Sequence, residues 1–262
     1  MPYDSTLLET EPAPPPPLPD EAPRPIAHWL HTLALFALLI LSTLYTRHNA
    51  AQPNLADGPR IPRYLASIVL EWLLLGAVIA GIYRRREFFL AAFRSRANSL
   101  LQSLGLGLVV YVLGFMAIAA AGIALYSTPL FHKRNEAAIL AIAPHTVSEF
   151  VAWFGVSLTA GICEELVFRG YLLQQLTAWT RRPIAAIVLA ALVFGSVHLY
   201  EGLAAVLPLA ALALVYGFVV RHFKGDLRAV IVAHTLQDFL VALLILVRPY
   251  LERYIERHQP GS

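Results

Sequence analysis

An all-α fold, a polytopic membrane bundle of about seven or eight helices, is predicted by three observations. The 262-residue chain is 58% hydrophobic and only 14% charged, whereas a soluble globular domain carries about 25% charged residues. Apolar runs follow one another, most near the roughly 20 residues a helix needs to cross the hydrocarbon core. No strand-like alternation bounded by hairpin turns interrupts them. Helices satisfy their own backbone groups in lipid and open sheets do not.

Taken in order, residues 1–25 stand apart. The stretch Glu11 to Pro25 is dense in proline, including Pro14 to Pro17, with acidic residues scattered through it. It cannot hold a helix or pack a core, which predicts a disordered, partly polyproline tail. It lacks the basic start and immediate apolar stretch of a secretory signal. Residues 26–145 hold the N-terminal transmembrane helices, with runs at Ile26 to Tyr45, Tyr64 to Tyr83 and Leu100 to Tyr126. Gly105, Gly107, Gly114 and Gly122 in the third run are expected to allow close helix packing. Residues 146–248 form the second membrane unit, and 249–262 a C-terminal tail. Within that unit Val147 to Trp179 is too long for one straight span. A span followed by a bend or a second helix is expected there, then helices at Ile184 to Leu199, Leu203 to Arg221 and Ala229 to Val247.

The net charge of +3 fits arginine-rich loops. With seven spans, eleven basic residues fall on the side of Arg24 and eight on the other. The positive-inside rule then places the N-terminus in the cytoplasm, and a bacterial plasma membrane is the expected host. No basic face interleaved with aromatics points to nucleic acid. The single cysteine, Cys163, excludes an internal disulfide and is read as a small buried hydrophobe.

Three clusters of ionisable residues sit inside these apolar runs. They are Glu164-Glu165 with Arg169, Phe194 with His198, and His234 with Asp238. A charge at membrane depth costs roughly 2.5–3.5 kcal/mol on insertion scales, so these positions are candidates for function. Glu165 and Arg169 are four apart and share a helical face, so they can pair. Glu164 points about 100° away and has no obvious local cation. It is free to face a cavity and act on water as a general base. His234 and Asp238 are again one turn apart, which lets the carboxylate fix the ring. If the helices converge, the set supplies a base and either two metal ligands or two oxyanion donors, the means of attacking a peptide carbonyl with water.

Lesser candidates are Glu71, inside the second run, which could line the cavity or pair with a loop arginine, and the pair His145 and Glu149. For that pair a helix-start carboxylate near the dipole is expected rather than a gate. His28 and His31 are expected to face the headgroup region, and Glu201 the interface.

The motifs Glu164-Glu165…Arg169, Phe194…His198 and His234…Asp238 resemble, in order, the pattern of the CPBP family of intramembrane proteases. That family includes type II CAAX prenyl endopeptidases and bacteriocin self-immunity proteins. The resemblance covers roughly Val147 to Val247. It implies an intramembrane endopeptidase acting on a peptide or prenylated peptide at the bilayer, with membrane lipid as its surroundings. It makes Glu164 the water activator and assigns His198 and His234 to carbonyl polarisation or metal binding. Prenyl endopeptidases look like asparagine where this chain has Asp238, and an ionised carboxylate cannot donate to an oxyanion. Orientation of His234 is therefore expected of Asp238. Zinc held by two histidines and a glutamate, with an open position, is one option. The chain lacks the HExxH helix, and a glutamate-activated water with histidine donors needs no metal, which is the reading favoured. A non-catalytic binding or immunity protein and a proton-coupled transporter are the alternatives. The absence of an internal repeat counts against the transporter.

Overall fold

In the computed structural model, residues 23–50, 58–93, 99–129, 140 and 142–258 are described. Most of the proline-rich tail lies outside the described residues, as do Arg94, Arg96, Lys133 and Arg134 of the orientation argument. The helices are α1 (Trp29–Ala50), α2 (Arg60–Gly81), α3 (Arg85–Ala92), α4 (Leu100–Tyr126), α5 (Val147–Glu165), α6 (Leu173–Thr180), α7 (Pro183–Val197), α8 (Leu203–His222) and α9 (Arg228–His258). A π-helical segment, Leu166–Leu172, joins α5 to α6, and a 3-10 turn, Leu199–Glu201, follows α7. Among the described residues the one extended pairing is a single bridge between Ala27 and Ile82.

Local chemistry starts and stops these elements. Ser99 and Gln102 form a reciprocal capping box on α4, and Thr146 and Glu149 form another on α5. Each satisfies backbone donors that the first helical turn leaves open. The Glu149 carboxylate also accepts from the His145 N–H at 2.8 Å, so its role is that of a cap. Pro183 opens α7, where its missing N–H costs nothing. Arg181, with φ of 53°, turns the chain out of α6.

Among the described residues six helices are long and apolar enough to cross a membrane, and the protein is an integral membrane protein. The expected run at 184–199 is the shorter α7, of 15 residues. At 1.5 Å per residue it reaches about 22 Å, short of the roughly 30 Å hydrocarbon core. Of the bend or second helix expected here, the structure has the second helix, α6, with Glu164 and Glu165 at the end of α5 and not on α6. Val147–Thr180 is one continuous 34-residue rod. Glu165, Leu166, Leu172 and Leu173 all keep right-handed helical dihedrals. No proline falls in this stretch, so the rod absorbs a change of phase as a π segment, in which Leu173 N–H reaches back to Phe168 O. Such segments are frequent at functional sites. The last helix likewise continues to His258, past residue 248.

The rod is central. α2 and α9 both pack along α5, α4 packs on α8 and α9, and α7 packs on α6 and α8. Outward-facing leucines such as Leu41, Leu73, Leu101 and Leu108 are exposed, which suits lipid contact. A Cβ at Gly107 would strike Val232 and one at Gly114 would strike Leu212, whereas Gly105 and Gly122 have open space. Only two of the four expected glycines therefore mediate close approach. The His31 ring turns toward α2 and the π segment. Its Nε2 lies 3.1 Å from Val78 O, and its ring stands edge-on to Tyr171. The fully buried Gln175 secures the chain ahead of α1. Its Oε1 accepts from Ile26 N at 3.0 Å and Ala27 N at 3.3 Å, and its Nε2 donates to Ala27 O at 2.8 Å.

Candidate active site

All three polar clusters meet around the junction of α5 and the π segment. Arg169 Nη1 donates to Glu165 Oε1 at 2.7 Å, and both side chains are buried. The same Oε1 lies 2.7 Å from His234 Nδ1. A carboxylate paired with arginine only accepts, so Nδ1 carries the ring proton and donates. This fixes the His234 tautomer and points Nε2 the other way. Nε2 then stands 3.9 Å from Glu164 Oε2 and 3.7 Å from Asp238 Oδ2. The ring is thus oriented by Glu165 and not, as the one-turn spacing led one to expect, by Asp238, which lies beyond hydrogen-bonding distance. Asp238 is held from its backbone, whose carbonyl accepts from Trp153 Nε1 at 3.2 Å.

The approach of α5 to α9 depends on Gly161. A Cβ there would collide with Thr235 Oγ1, next to His234, and crowd the Ile231 carbonyl. With glycine the two backbones come close enough for Glu165 to reach His234.

Phe194 is the hub of the cluster. The Arg169 guanidinium carbon sits 4.5 Å from its ring centroid and 5.3 Å from that of Tyr216, a buried cation–π arrangement. Phe194 also packs edge-on against Phe168 and His234 and tilts against His198. His198 Nδ1 lies 2.9 Å from Phe194 O. A carbonyl only accepts, so this nitrogen donates and Nε2 is left for the cavity.

That cavity holds about 520 Å³. Its polar end is formed by Glu71, Glu164, His198 and Tyr200, and its apolar wall by leucines of α1 and α2 such as Leu38 and Leu74. Burial, with Glu201 and Glu164 nearby, pushes the Tyr200 phenol well above its ordinary value, so it stays a hydroxyl at working pH. Glu71 Oε2 and Glu164 Oε2 are both buried and meet no N–H or O–H donor among the described residues. The two carboxyls are close enough to interact. Sequence reasoning undervalued Glu71, because a lone carboxylate two turns from the nearest ionisable neighbour on its helix shows no pattern. Among the described residues no three His, Cys, Asp or Glu side chains are arranged to hold a metal ion. The donor set does not fit a preformed zinc site.

The bundle and its inward-facing carboxylates, imidazoles and guanidinium define a polytopic membrane protein with a polar centre at bilayer depth. Residues 146–240 match the family model described as Type II CAAX prenyl endopeptidase Rce1-like. Over these residues, about a third of the chain, the protein is similar to that family, and helices α1 to α4 lie outside the match. Neither a curated protein nor a solved structure matches the chain.

Proposed function

We propose that the protein is an intramembrane endopeptidase that hydrolyses a peptide bond with water activated by Glu164. The observation that carries this reading is the contrast between adjacent glutamates. Glu165 is neutralised by Arg169, while Glu164 opens on a cavity shared with His198. In the cavity Glu164 takes a proton from water as the water oxygen attacks the peptide carbon. The carbonyl oxygen becomes an oxyanion. His198 donates to it from a protonated Nε2, because its Nδ1 proton is committed to Phe194 O. His234 sits beside Glu164, held by Glu165, and directs its own Nε2 toward the same carboxylate. Collapse of the intermediate breaks the C–N bond, and the proton on Glu164 passes to the departing amine. Pre-placed groups of this kind work best where water is excluded.

The apolar wall suits a prenyl chain or a transmembrane peptide, and a membrane peptide of one of these two kinds is the proposed substrate. The proposed setting is a bacterial plasma membrane with the N-terminus in the cytoplasm, which a topology reporter fused to the N-terminus would test. The chemistry is tested with purified protein and a peptide library that includes prenylated and transmembrane peptides. Cleavage by wild type that vanishes in stably folded Glu164→Gln supports the proposal. Normal turnover by that variant, or stoichiometric zinc by elemental analysis, would overturn the mechanism. No cleavage by either protein would favour a binding or immunity role.

A further inference from the structure

We propose that Glu71 is a positioning residue of this site, holding the Glu164 carboxyl through one proton shared between them. The inference rests on Glu164 as water activator. Glu71 lies on α2, outside the residues that match the family. The nearest ionisable side chains on its own helix are Arg60, Arg63 and Tyr64, at least two turns away. Nothing local explains a carboxyl in the middle of a 22-residue apolar span.

What explains it is the helix α2 packs against. Glu71 and Glu164 line the same cavity, each has a buried Oε2 with no donor, and the two carboxyls are close enough to interact. Two ionised carboxylates are both pure acceptors and would repel. One proton between them supplies the missing donor and removes one charge. The other groups facing Glu71 are His234 and Asp238 from α9 and Cys163 from α5, with His198 and Tyr200 across the cavity. The nearby guanidinium, Arg169, is bound to Glu165 and does not serve this pair.

The consequence is mechanistic. With its hydroxyl donated by Glu71, the carboxyl pair presents the Glu164 carboxylate in one orientation toward water. When Glu164 accepts the water proton the pair is doubly protonated, and that proton leaves with the amine. The Glu71 proton stays in place throughout. Once the shared proton is lost, the donor from Glu71 is gone.

The test uses full-length protein in lipid nanodiscs and a quenched-fluorescent farnesylated peptide as probe. Glu71→Leu, which removes the donor, is expected to lower kcat about tenfold with KM little changed, the worth of one charge-assisted hydrogen bond. Glu71→Gln keeps an N–H donor at every pH. It is expected to restore kcat and to lose the alkaline decline that follows loss of the Glu71 proton. Wild-type kcat and pH profile in Glu71→Leu, beside inactive Glu164→Gln, would overturn the shared proton alone. Normal cleavage by Glu164→Gln would overturn the water activator and the pair together. Isotope-edited glutamate infrared spectra read the proton without turnover. A protonated-carboxyl band at neutral pH that disappears in Glu71→Gln is expected, and its absence from wild type overturns the proposal whatever the assay shows.

Discussion

Two faces of one helical turn carry adjacent glutamates with opposite fates. On the closed face Glu165 receives Arg169 and His234 at 2.7 Å each and is fully buried. On the open face Glu164 looks into a cavity with Glu71 and His198; each glutamate keeps one buried oxygen without a donor, so the contrast lies in the two donors that reach Glu165 Oε1. The side chains are chemically identical, so the difference lies in what the neighbouring helices bring. α9 and the π segment bring donors to one, and α2 brings a second carboxyl to the other. Glu165 is tied by Arg169 and His234, whereas the proposed function leaves the Glu164 carboxylate for chemistry.

The sharpest way to break this contrast is Glu164→Gln. Cleavage is expected to fall by about 10²–10⁴, the range for a lost general base, while the melting temperature stays near wild type. Arg169→Leu attacks the closed face. It leaves Glu165 charged and buried and is expected to cost about 3–5 kcal/mol of stability, seen as a lower melting temperature together with lost cleavage. If Arg169→Leu were as stable as wild type, Glu165 could not be the structural partner. Gly161→Ala probes the approach of α5 to α9. Overpacking there is expected to cost about 1–3 kcal/mol and to lower kcat by moving His234. Asp238→Asn is expected to change kcat by less than about tenfold, because at 3.7 Å its carboxylate makes no hydrogen bond to the ring. Thr146→Ala, far from both faces, is expected to cost about 1 kcal/mol through the lost cap, with kcat unchanged.

Much of the scaffold was legible because lipid imposes it. Spans at the second, third and sixth long helices follow from apolar length alone, as does the pairing of Glu165 with Arg169 from a spacing of four. Contacts within one helix are a matter of residue arithmetic. Contacts between helices are not, and there the sequence was silent or misleading. Asp238 is one turn from His234, yet the ring turns to Glu165 on another helix because Gly161 lets that helix in closer. The rod from 147 to 180 looked breakable by its length, but without a proline its strain went into a π segment. Glu71 carries no motif, since its partner is 93 positions further on (164 − 71). Phe194 could be read only as a spacer before His198, and its contact with Arg169 needed the fold.

The Gln175 clamp has a consequence in time. It grips Ile26 across a separation of 149 residues, and Thr32 reaches Tyr171 across 139. At about 5–20 residues per second, a ribosome needs roughly 7–30 s between making α1 and making the residues that moor it. Throughout that interval α1 has α2 beside it, through His31 and Val78, but not the helices that complete the cavity. The cavity is therefore closed late in biogenesis.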